Sequence, residues 1–507
     1  MLTTARSATV RWAGALRTRT FVGWVCVAVV AARLVFLTQP LRSDEGGYLF
    51  LARHWRTGGE FLYGDYHVDR PPLLMAIFRV AALTDWDGAI RLLSIPFAVL
   101  TVAAVARSAF LVAGDTAARW AAVVAAAMLV SPALAADQAD GELFATPFVA
   151  GSVALALDAW RRPRGAARWG LAVGSGVLAG SAVLVKQNFL DGLVFVAVLL
   201  VADSLRRRRV ETRSLVLGAG VAVGVLLPNL AAYGWAHSHG LDGLQLWTDL
   251  GAFRKQALEV ILSQSTTAPL TRAWQLLGLA LVSAMVPLLW TWGRSSLGRV
   301  RRLSAEEWAV TLGLAYALTA LLGGGSYWAH YLIGLVPMLA LGTGMLAARG
   351  DRDGRSARRW ARVAAGSASG LVVVMAVVYA TTPWVWFQQH TGEWLAASSE
   401  PGDTAVVLYG SPSILETADL TSPYPYLWSL PMRTLDPDQE RLRSTLAGPE
   451  APTWVVEATP LNSWHIDESG RLRALLAERY ERVTSFCGLH VWLLRGVERD
   501  LAPPPRC

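Results

Sequence analysis

Charged side chains are scarce in this sequence of 507 residues, of which aspartate, glutamate, lysine and arginine together make up 17%. Hydrophobic residues make up 53%, and the mean hydropathy is positive. The formal net charge of +8 would by itself suggest a nucleic-acid partner, but the arginines lie in short clusters between apolar stretches. That pattern is typical of a membrane protein with many spans. We therefore expect contact with a lipid bilayer and no nucleic acid.

Several other common signals are missing from the sequence. It contains no GxxxxGK[ST] loop that would hold the phosphates of a nucleotide. No small-residue cleavage site follows the first apolar stretch, so we expect residues 20–38 to be a retained span. No internal repeat is visible, although repeated halves are common in transporters. Cysteine is rare, with Cys26, Cys487 and Cys507 as its only occurrences.

What the sequence does contain is a series of long apolar stretches, each of roughly the 17–25 residues that a helix needs to cross a bilayer. About eleven are present, at residues 20–38, 89–113, 118–135, 143–160, 169–185, 189–204, 214–233, 272–292, 306–322, 330–348 and 363–382. Glycine and alanine are abundant, as expected where helices pack closely in lipid. The sequence therefore predicts a polytopic α-helical membrane protein with about eleven transmembrane helices.

The arginine clusters predict how these spans are oriented. Clusters precede the first span and follow the fourth, sixth, eighth and tenth. All of them lie on one side if the N-terminus is cytoplasmic, because basic loops remain in the cytoplasm. We therefore expect a multi-pass protein of the cytoplasmic membrane whose C-terminal part is extracytoplasmic. The predicted outer face holds residues 39–88, 137–142, 234–271 and 323–329.

The last part of the chain, residues 383–507, differs from the rest. Short apolar runs at 404–409, 454–457 and 490–494 alternate with predicted helices near 436–447 and 468–481. This order predicts a small α/β domain outside the membrane, so that residues 1–382 form the transmembrane domain. An oxidising compartment would permit a disulfide between Cys487 and Cys507, although their spacing does not require one.

The first outer loop, residues 39–88, contains the most distinctive segment of the chain. Two adjacent carboxylates, Asp44 and Glu45, lie at its start, and a basic residue precedes two prolines at Arg70-Pro71-Pro72. A polar, carboxylate-bearing loop beside a span indicates chemistry at a membrane surface. Acids at the start of a helix are also ordinary capping residues, so the carboxylates alone do not establish a catalytic site.

Two short helices are predicted in this loop. A surface helix is expected over residues 45–57, with aromatic and small side chains on one side. The segment 73–84 is apolar but too short to span a bilayer, so we expect it to lie in the membrane interface.

Chemistry on the outer face of a cytoplasmic membrane has no access to ATP or nucleotide sugars. An energy-rich donor must therefore be carried in the lipid. A sugar linked to a polyprenyl phosphate meets this need, because phosphate is a good leaving group. One carboxylate near the acceptor hydroxyl suffices as a base for inversion by direct displacement. The departing phosphate then needs cations or amide donors beside it.

The first outer loop resembles that of the GT-C superfamily of membrane glycosyltransferases, in the branch of protein O-mannosyltransferases and lipid A aminoarabinose transferases. The residues that carry the resemblance are Asp44-Glu45, Tyr48, Ala52, Gly58-Gly59 and Arg70-Pro71-Pro72-Leu73. Residues 326–339 are similar to a later stretch of the same family. The resemblance implies a GT-C-like fold, Asp44 as the base at the acceptor hydroxyl and Arg70 beside the donor phosphate. Aminoarabinose transferases usually have lysine where this chain has Arg70. This difference affects the prediction of which sugar is transferred more than the prediction of the reaction type.

The remaining candidates come from other segments of the predicted outer face. An acidic turn holds Asp140 and Glu142, which could orient the acceptor or hold a divalent cation, although acids in such a turn can also only start a helix. Together with Glu45, these two acids would shape the site. Lys186 lies at a helix end, where a lysine ordinarily extends toward headgroups. The candidates for binding the donor phosphate are Arg70, Lys186, His330 and Tyr331.

Two other classes of function fit part of the pattern. A transporter or flippase of lipid-linked saccharides would also have many spans and a cationic cavity, but it usually carries charges near the midplane. The hypothesis of a non-catalytic assembly protein does not account for the Asp44 segment. The sequence therefore favours an inverting glycosyltransferase. It leaves open the sugar, the prenyl length, the glycan, lipid or protein nature of the acceptor, the use of a metal and the oligomeric state.

Overall fold

The computed structural model describes residues 2–163, 165–263, 267–382, 387–486 and 488–505, and most of them are helical. The helices of the first 382 residues are α1 (Leu2–Leu34), α2 (Ser43–Arg53), α3 (Pro72–Ala81), α4 (Ala89–Val130), α5 (Gly141–Arg161), α6 (Ala166–Val185), α7 (Asp191–Arg207), α8 (Thr212–Ser238), α9 (Gly243–Ser263), α10 (Thr267–Val282), α11 (Met285–Leu297), α12 (Ala305–Gly323), α13 (Val336–Ala347) and α14 (Arg352–Thr381). Short 3-10 turns at Pro132–Leu134, Val300–Arg302 and Ala329–Leu335 join some of them.

Each of the eleven predicted spans overlaps helical structure. In the described part of the chain, six helical segments are long and apolar enough to cross a membrane, and a seventh is added if α10 and α11 count as one. The chain thus has the several apolar helices of a multi-pass membrane protein, whereas the count of eleven transmembrane helices remains a prediction. Helix α7, for example, overlaps a predicted span but is not among these six, because its 17 residues lie at the lower limit of the length that crosses a bilayer.

Two predicted spans are altered by backbone breaks. Helix α4 is interrupted at Gly114, whose φ of 79° and ψ of −164° are not helical. This break falls in the gap between the predicted spans 89–113 and 118–135. The predicted span 272–292 is not one straight helix, because α10 and α11 meet at an angle of 80°. Ala284, in the left-handed region at φ 59°, makes that turn.

Glycines allow helices of the bundle to approach closely. A Cβ atom at Gly176 of α6 would lie 2.1 Å from the carbonyl oxygen of Val221 in α8. A Cβ atom at Gly224 of α8 would lie equally close to the carbonyl oxygen of Val173. Backbone therefore meets backbone at this crossing, which is the use of small residues expected in a membrane bundle.

The first loop contains the two short helices predicted from its sequence, with different ends. Helix α2 begins at Ser43 and ends at Arg53, four residues earlier than expected. Helix α3 begins at Pro72, a residue well suited to the first turn of a helix. Leu74, Met75 and Phe78 of α3 are fully buried. The apolar side of α3 thus packs against the protein.

The C-terminal residues combine helices with a four-stranded sheet. Its helices are α15 (Phe387–Ser398), α16 (Ser413–Ala418), α17 (Ser429–Leu435), α18 (Glu440–Ala447) and α19 (Arg471–Arg479), and its strands are β1 (Ala405–Leu408), β2 (Trp454–Glu457), β3 (Tyr480–Phe486) and β4 (Leu489–Leu494). The strand order is β1-β2-β4-β3, with β1 and β2 parallel and the other pairs antiparallel. The three predicted apolar runs correspond to strands β1, β2 and β4, whereas strand β3 was not predicted.

Two predictions about this region remain untested. The proposed boundary at residue 383 falls outside the described residues, and a separate extracytoplasmic domain therefore stays a prediction. Cys487 and Cys507 also fall outside them, so the same holds for their disulfide.

Candidate functional site

The adjacent carboxylates of α2 have different environments. Glu45 is fully buried and accepts four hydrogen bonds. Arg91 of α4 donates two of them, at 2.9 and 2.7 Å, and the backbone N–H groups of Ala139 and Arg42 donate the others, at 2.8 and 3.1 Å. Glu45 therefore ties the first loop to α4 and to the acidic turn before α5.

Asp44 is half-buried and belongs to the first turn of α2. Its Oδ1 atom accepts a hydrogen bond of 2.9 Å from the indole N–H of Trp428. The negative charge of Asp44 acts on Arg70, Asp140 and Tyr331, which places these groups in one electrostatic neighbourhood. Of the adjacent acids, Asp44 is thus the one that remains available for chemistry.

The acidic turn before α5 contributes a second carboxyl group to this neighbourhood. Asp140 is buried, and its Oδ2 atom has no hydrogen-bond partner among the described residues. The Nδ1 atom of His330 lies 3.4 Å from that oxygen. Burial, together with the negative charges of Asp44 and Glu142, raises the pKa of Asp140 well above its usual range. The environment therefore favours the neutral form of Asp140.

Lys186 and Glu142 form a buried ion pair at the end of α6. The ammonium group of Lys186 also lies 4.5 Å from the ring centroid of Tyr331, within the range of a cation–π interaction. Burial lowers the pKa of Lys186, although the charge of Glu142 opposes this effect. His330 packs edge-on against Tyr331, with ring centroids 4.9 Å apart. The structure thus brings together Glu142, Lys186, His330 and Tyr331, while their roles remain a prediction.

Arg70 is held by groups of its own loop. Its guanidinium contacts Asp69 and lies 5.5 Å from the ring centroid of Tyr48. Burial alone would lower the pKa of Arg70, but Asp69 and other negative groups raise it above its usual value. Asp69 also pairs at 2.7 Å with Arg254 of α9. Burial would raise the pKa of Asp69, but Arg254 and Arg70 together lower it to about 2.

A cavity of about 420 Å³ lies beside these cations. Its polar lining includes Glu142, Lys186, Asp191, Arg254 and Tyr331. Its walls also include apolar side chains, namely Phe189, Ala317, Ala320 and Leu321. Such a cavity suits a ligand with an anionic group at one end and an apolar body.

Three contributors to the site were missed by sequence reasoning. Asp69 adjoins the Arg70 motif but has no signal of its own, and Arg254 lies on a helix without a recognisable motif. Trp428 is separated from Asp44 by 384 residues. The possible divalent cation gains no support, since no three His, Cys, Asp or Glu side chains within the described ranges are grouped as metal ligands.

Comparisons with known proteins bear on the fold and the family resemblance of the chain. Residues 69–231 match the family described as dolichyl-phosphate-mannose-protein mannosyltransferase. The structure is similar to that of ArnT from Cupriavidus metallidurans bound to undecaprenyl phosphate, with a TM-score of 0.57 and 15% identity over 93% of this chain and 98% of that one. It is also similar to the oligosaccharyltransferase of Archaeoglobus fulgidus in complex with Zn and sulfate, with a TM-score of 0.52 and 14% identity over 92% and 73% of the chains. No curated protein matches the sequence.

These similarities confirm the resemblance inferred from the first outer loop. The identities are low, so the likeness to the two solved structures concerns the fold. The chain has the fold of GT-C membrane glycosyltransferases and resembles the mannosyltransferase and ArnT branch.

Proposed function

We propose that this protein is an inverting glycosyltransferase that moves a sugar from a polyprenyl-phosphate donor to an acceptor hydroxyl. The reaction takes place at the outer face of the cytoplasmic membrane, with the N-terminus in the cytoplasm and residues 383–507 outside. The observation that carries the proposal is the half-buried carboxylate of Asp44 in the same electrostatic neighbourhood as Arg70, next to a cavity lined by two further cations, Lys186 and Arg254.

The cavity supports the choice of a lipid-linked donor. A polyprenyl phosphate has a strongly anionic head and an apolar chain, and the lining supplies Lys186 and Arg254 at one part and apolar side chains elsewhere. Arg70 adds a third cation from the neighbouring loop. The ArnT structure with the same fold was obtained with undecaprenyl phosphate bound, which agrees with this type of ligand.

The displacement needs one base and a stabilised leaving group. The acceptor oxygen attacks the anomeric carbon and forms the new glycosidic bond, while the bond from that carbon to the phosphate oxygen breaks. The acceptor proton passes to Asp44, and the bonding electrons leave with the phosphate, whose charge the cations stabilise. Attack from the face opposite the phosphate inverts the anomeric centre.

The test measures release of sugar-free polyprenyl phosphate by purified protein. The substrates are a panel of polyprenyl-phosphate sugars and an envelope extract as the source of acceptor. For the wild type we expect release that depends on the acceptor. For Asp44→Asn we expect a rate about 100- to 10,000-fold lower, the usual contribution of general-base catalysis. Asp65→Asn is a matched control, because Asp65 lies in the same loop but is exposed and paired with Arg56.

Two outcomes would contradict the proposal. Equal release from the wild type and Asp44→Asn would keep the transferase but assign the base to another group. No release with any donor, from a folded protein that still binds the lipid, would favour a transporter or flippase of lipid-linked saccharides.

A further inference from the structure

The C-terminal part of the chain lies directly against the helix that carries Asp44. A Cβ atom at Gly46 would lie 2.5 Å from the Cβ of Ser413. A Cβ atom at Gly47 would lie 2.5 Å from both Pro412 and the Trp428 ring. The two glycines that follow the carboxylates in α2 thus leave room for this approach, which a larger side chain at either position would block.

Polar contacts hold the two parts together along the first loop. Around Tyr66, the phenol donates to the Ser422 carbonyl oxygen at 3.2 Å and accepts from the Ser422 N–H at 3.0 Å. The backbone N–H of His67 donates to the carbonyl oxygen of Pro425 at 3.1 Å. These contacts lie within six residues of Trp428, so its position relative to the loop is well defined.

Trp428 itself reaches the proposed base. Its indole N–H donates to Oδ1 of Asp44 at 2.9 Å, and its ring packs on Tyr48 with centroids 5.3 Å apart. We propose that Trp428 is a positioning residue for Asp44, so that the C-terminal part of the chain completes the transferase site. This inference rests on the proposed function of Asp44 as a base.

The hydrogen bond has a direct consequence for the geometry of proton transfer. An aspartate at the start of a helix has several accessible rotamers, and a base must lie within hydrogen-bond reach of the proton that it removes. With Oδ1 fixed by the indole, the carboxylate keeps one orientation and Oδ2 is left to accept the proton of the acceptor hydroxyl. Trp428 contacts the base but none of the reacting atoms.

The test separates this role from ordinary packing. Trp428→Phe keeps an aromatic ring beside Tyr48 but removes the N–H donor. The matched control is Trp394→Phe, because buried Trp394 donates its indole N–H at 2.8 Å to the carbonyl oxygen of Ala502, within the same C-terminal part. Both variants lose one indole hydrogen bond, and only one of these bonds involves Asp44.

For Trp428→Phe we expect kcat to fall about 10- to 100-fold, because hydrogen bonds to charged groups are the stronger ones. The donor KM should stay within about twofold of the wild-type value, since the phosphate-binding cations are unchanged. For Trp394→Phe, kcat should remain near that of the wild type. If Trp428→Phe folds poorly, benzothienylalanine incorporated at position 428 keeps the bicyclic ring and removes only the N–H.

The outcomes distinguish the inference from the proposed function. A normal kcat in both Trp428 variants, with an active wild type, would overturn the positioning role and leave the transferase in place. An equal loss of kcat in Trp394→Phe would also overturn it, since general destabilisation would then explain the effect. A wild type that transfers no sugar at all would overturn both.

Discussion

Replacing Glu45 with glutamine should damage the stability of the protein far more than its chemistry. The carboxylate accepts four hydrogen bonds in a fully buried position, two of them from the guanidinium of Arg91. A glutamine has the same shape, but its amide NH2 group would face donors where an oxygen is needed. Arg91 would also lose the negative charge that compensates its own burial.

The expected loss is about 3 kcal/mol, the lower end of the range for breaking a buried ion pair, because the glutamine oxygen keeps some of the bonds. With about 2 °C per kcal/mol for large domains, the apparent melting temperature should fall by about 6 °C. The pH dependence has a definite sign. Burial would raise the pKa of Glu45, but Arg91 and the N–H donors lower it below its ordinary value of 4.5. Its stabilisation is therefore fully present above about pH 4.5 and is lost as the pH falls through the lowered value.

The assay is thermal unfolding of purified protein in lipid nanodiscs, followed by tryptophan fluorescence. Glu60→Gln is a suitable control, because Glu60 also forms a two-bond ion pair, with Arg441, but on the surface. Exposed pairs contribute about 0–1 kcal/mol, so this control should melt near the wild type. Equal melting temperatures for Glu45→Gln and the control would refute the structural role of Glu45.

Two further predictions concern residues around the cavity. Arg254→Gln should raise the donor KM about tenfold, since one charged hydrogen-bond donor to the phosphate is lost, whereas Lys255→Gln on the exposed neighbouring position should not. An unchanged donor KM would exclude Arg254 from phosphate binding. Asp140→Asn should make the stability of the protein less sensitive to pH. Because the pKa of Asp140 is raised in the folded protein, the wild type should lose stability as the pH rises from about 4, the pKa of an unfolded aspartate, toward the raised pKa. Parallel stability curves for the variant and the wild type would contradict the shifted pKa.

Much of the architecture could be predicted from the sequence because its signals are local. Long apolar stretches predict helices of a membrane bundle wherever they occur, and the gap between the predicted spans 89–113 and 118–135 coincides with the break at Gly114. The bend between α10 and α11 could not be predicted, because an alanine at φ 59° is tolerated only through its surroundings. The start of β3 was assigned to a helix, since strand pairing with β4 decides its conformation.

The sequence by itself determined the class of the protein and the small set of residues to consider. Composition indicated a membrane protein, and the first-loop motif singled out Asp44 and Arg70 as candidate site residues. These inferences need only residue types and spacing within a short segment, since apolar length and charge act through the bilayer rather than through particular partners.

Only the tertiary structure showed the partners of those residues. The resemblance singles out Asp44 as the base, but it does not reveal that Arg91 pairs with Glu45 in the core or that the indole of Trp428 donates to Asp44. Arg254 likewise becomes a candidate only where α9 brings it to the cavity. Burial and pairing depend on contacts between segments far apart in the chain, and such contacts leave no local pattern.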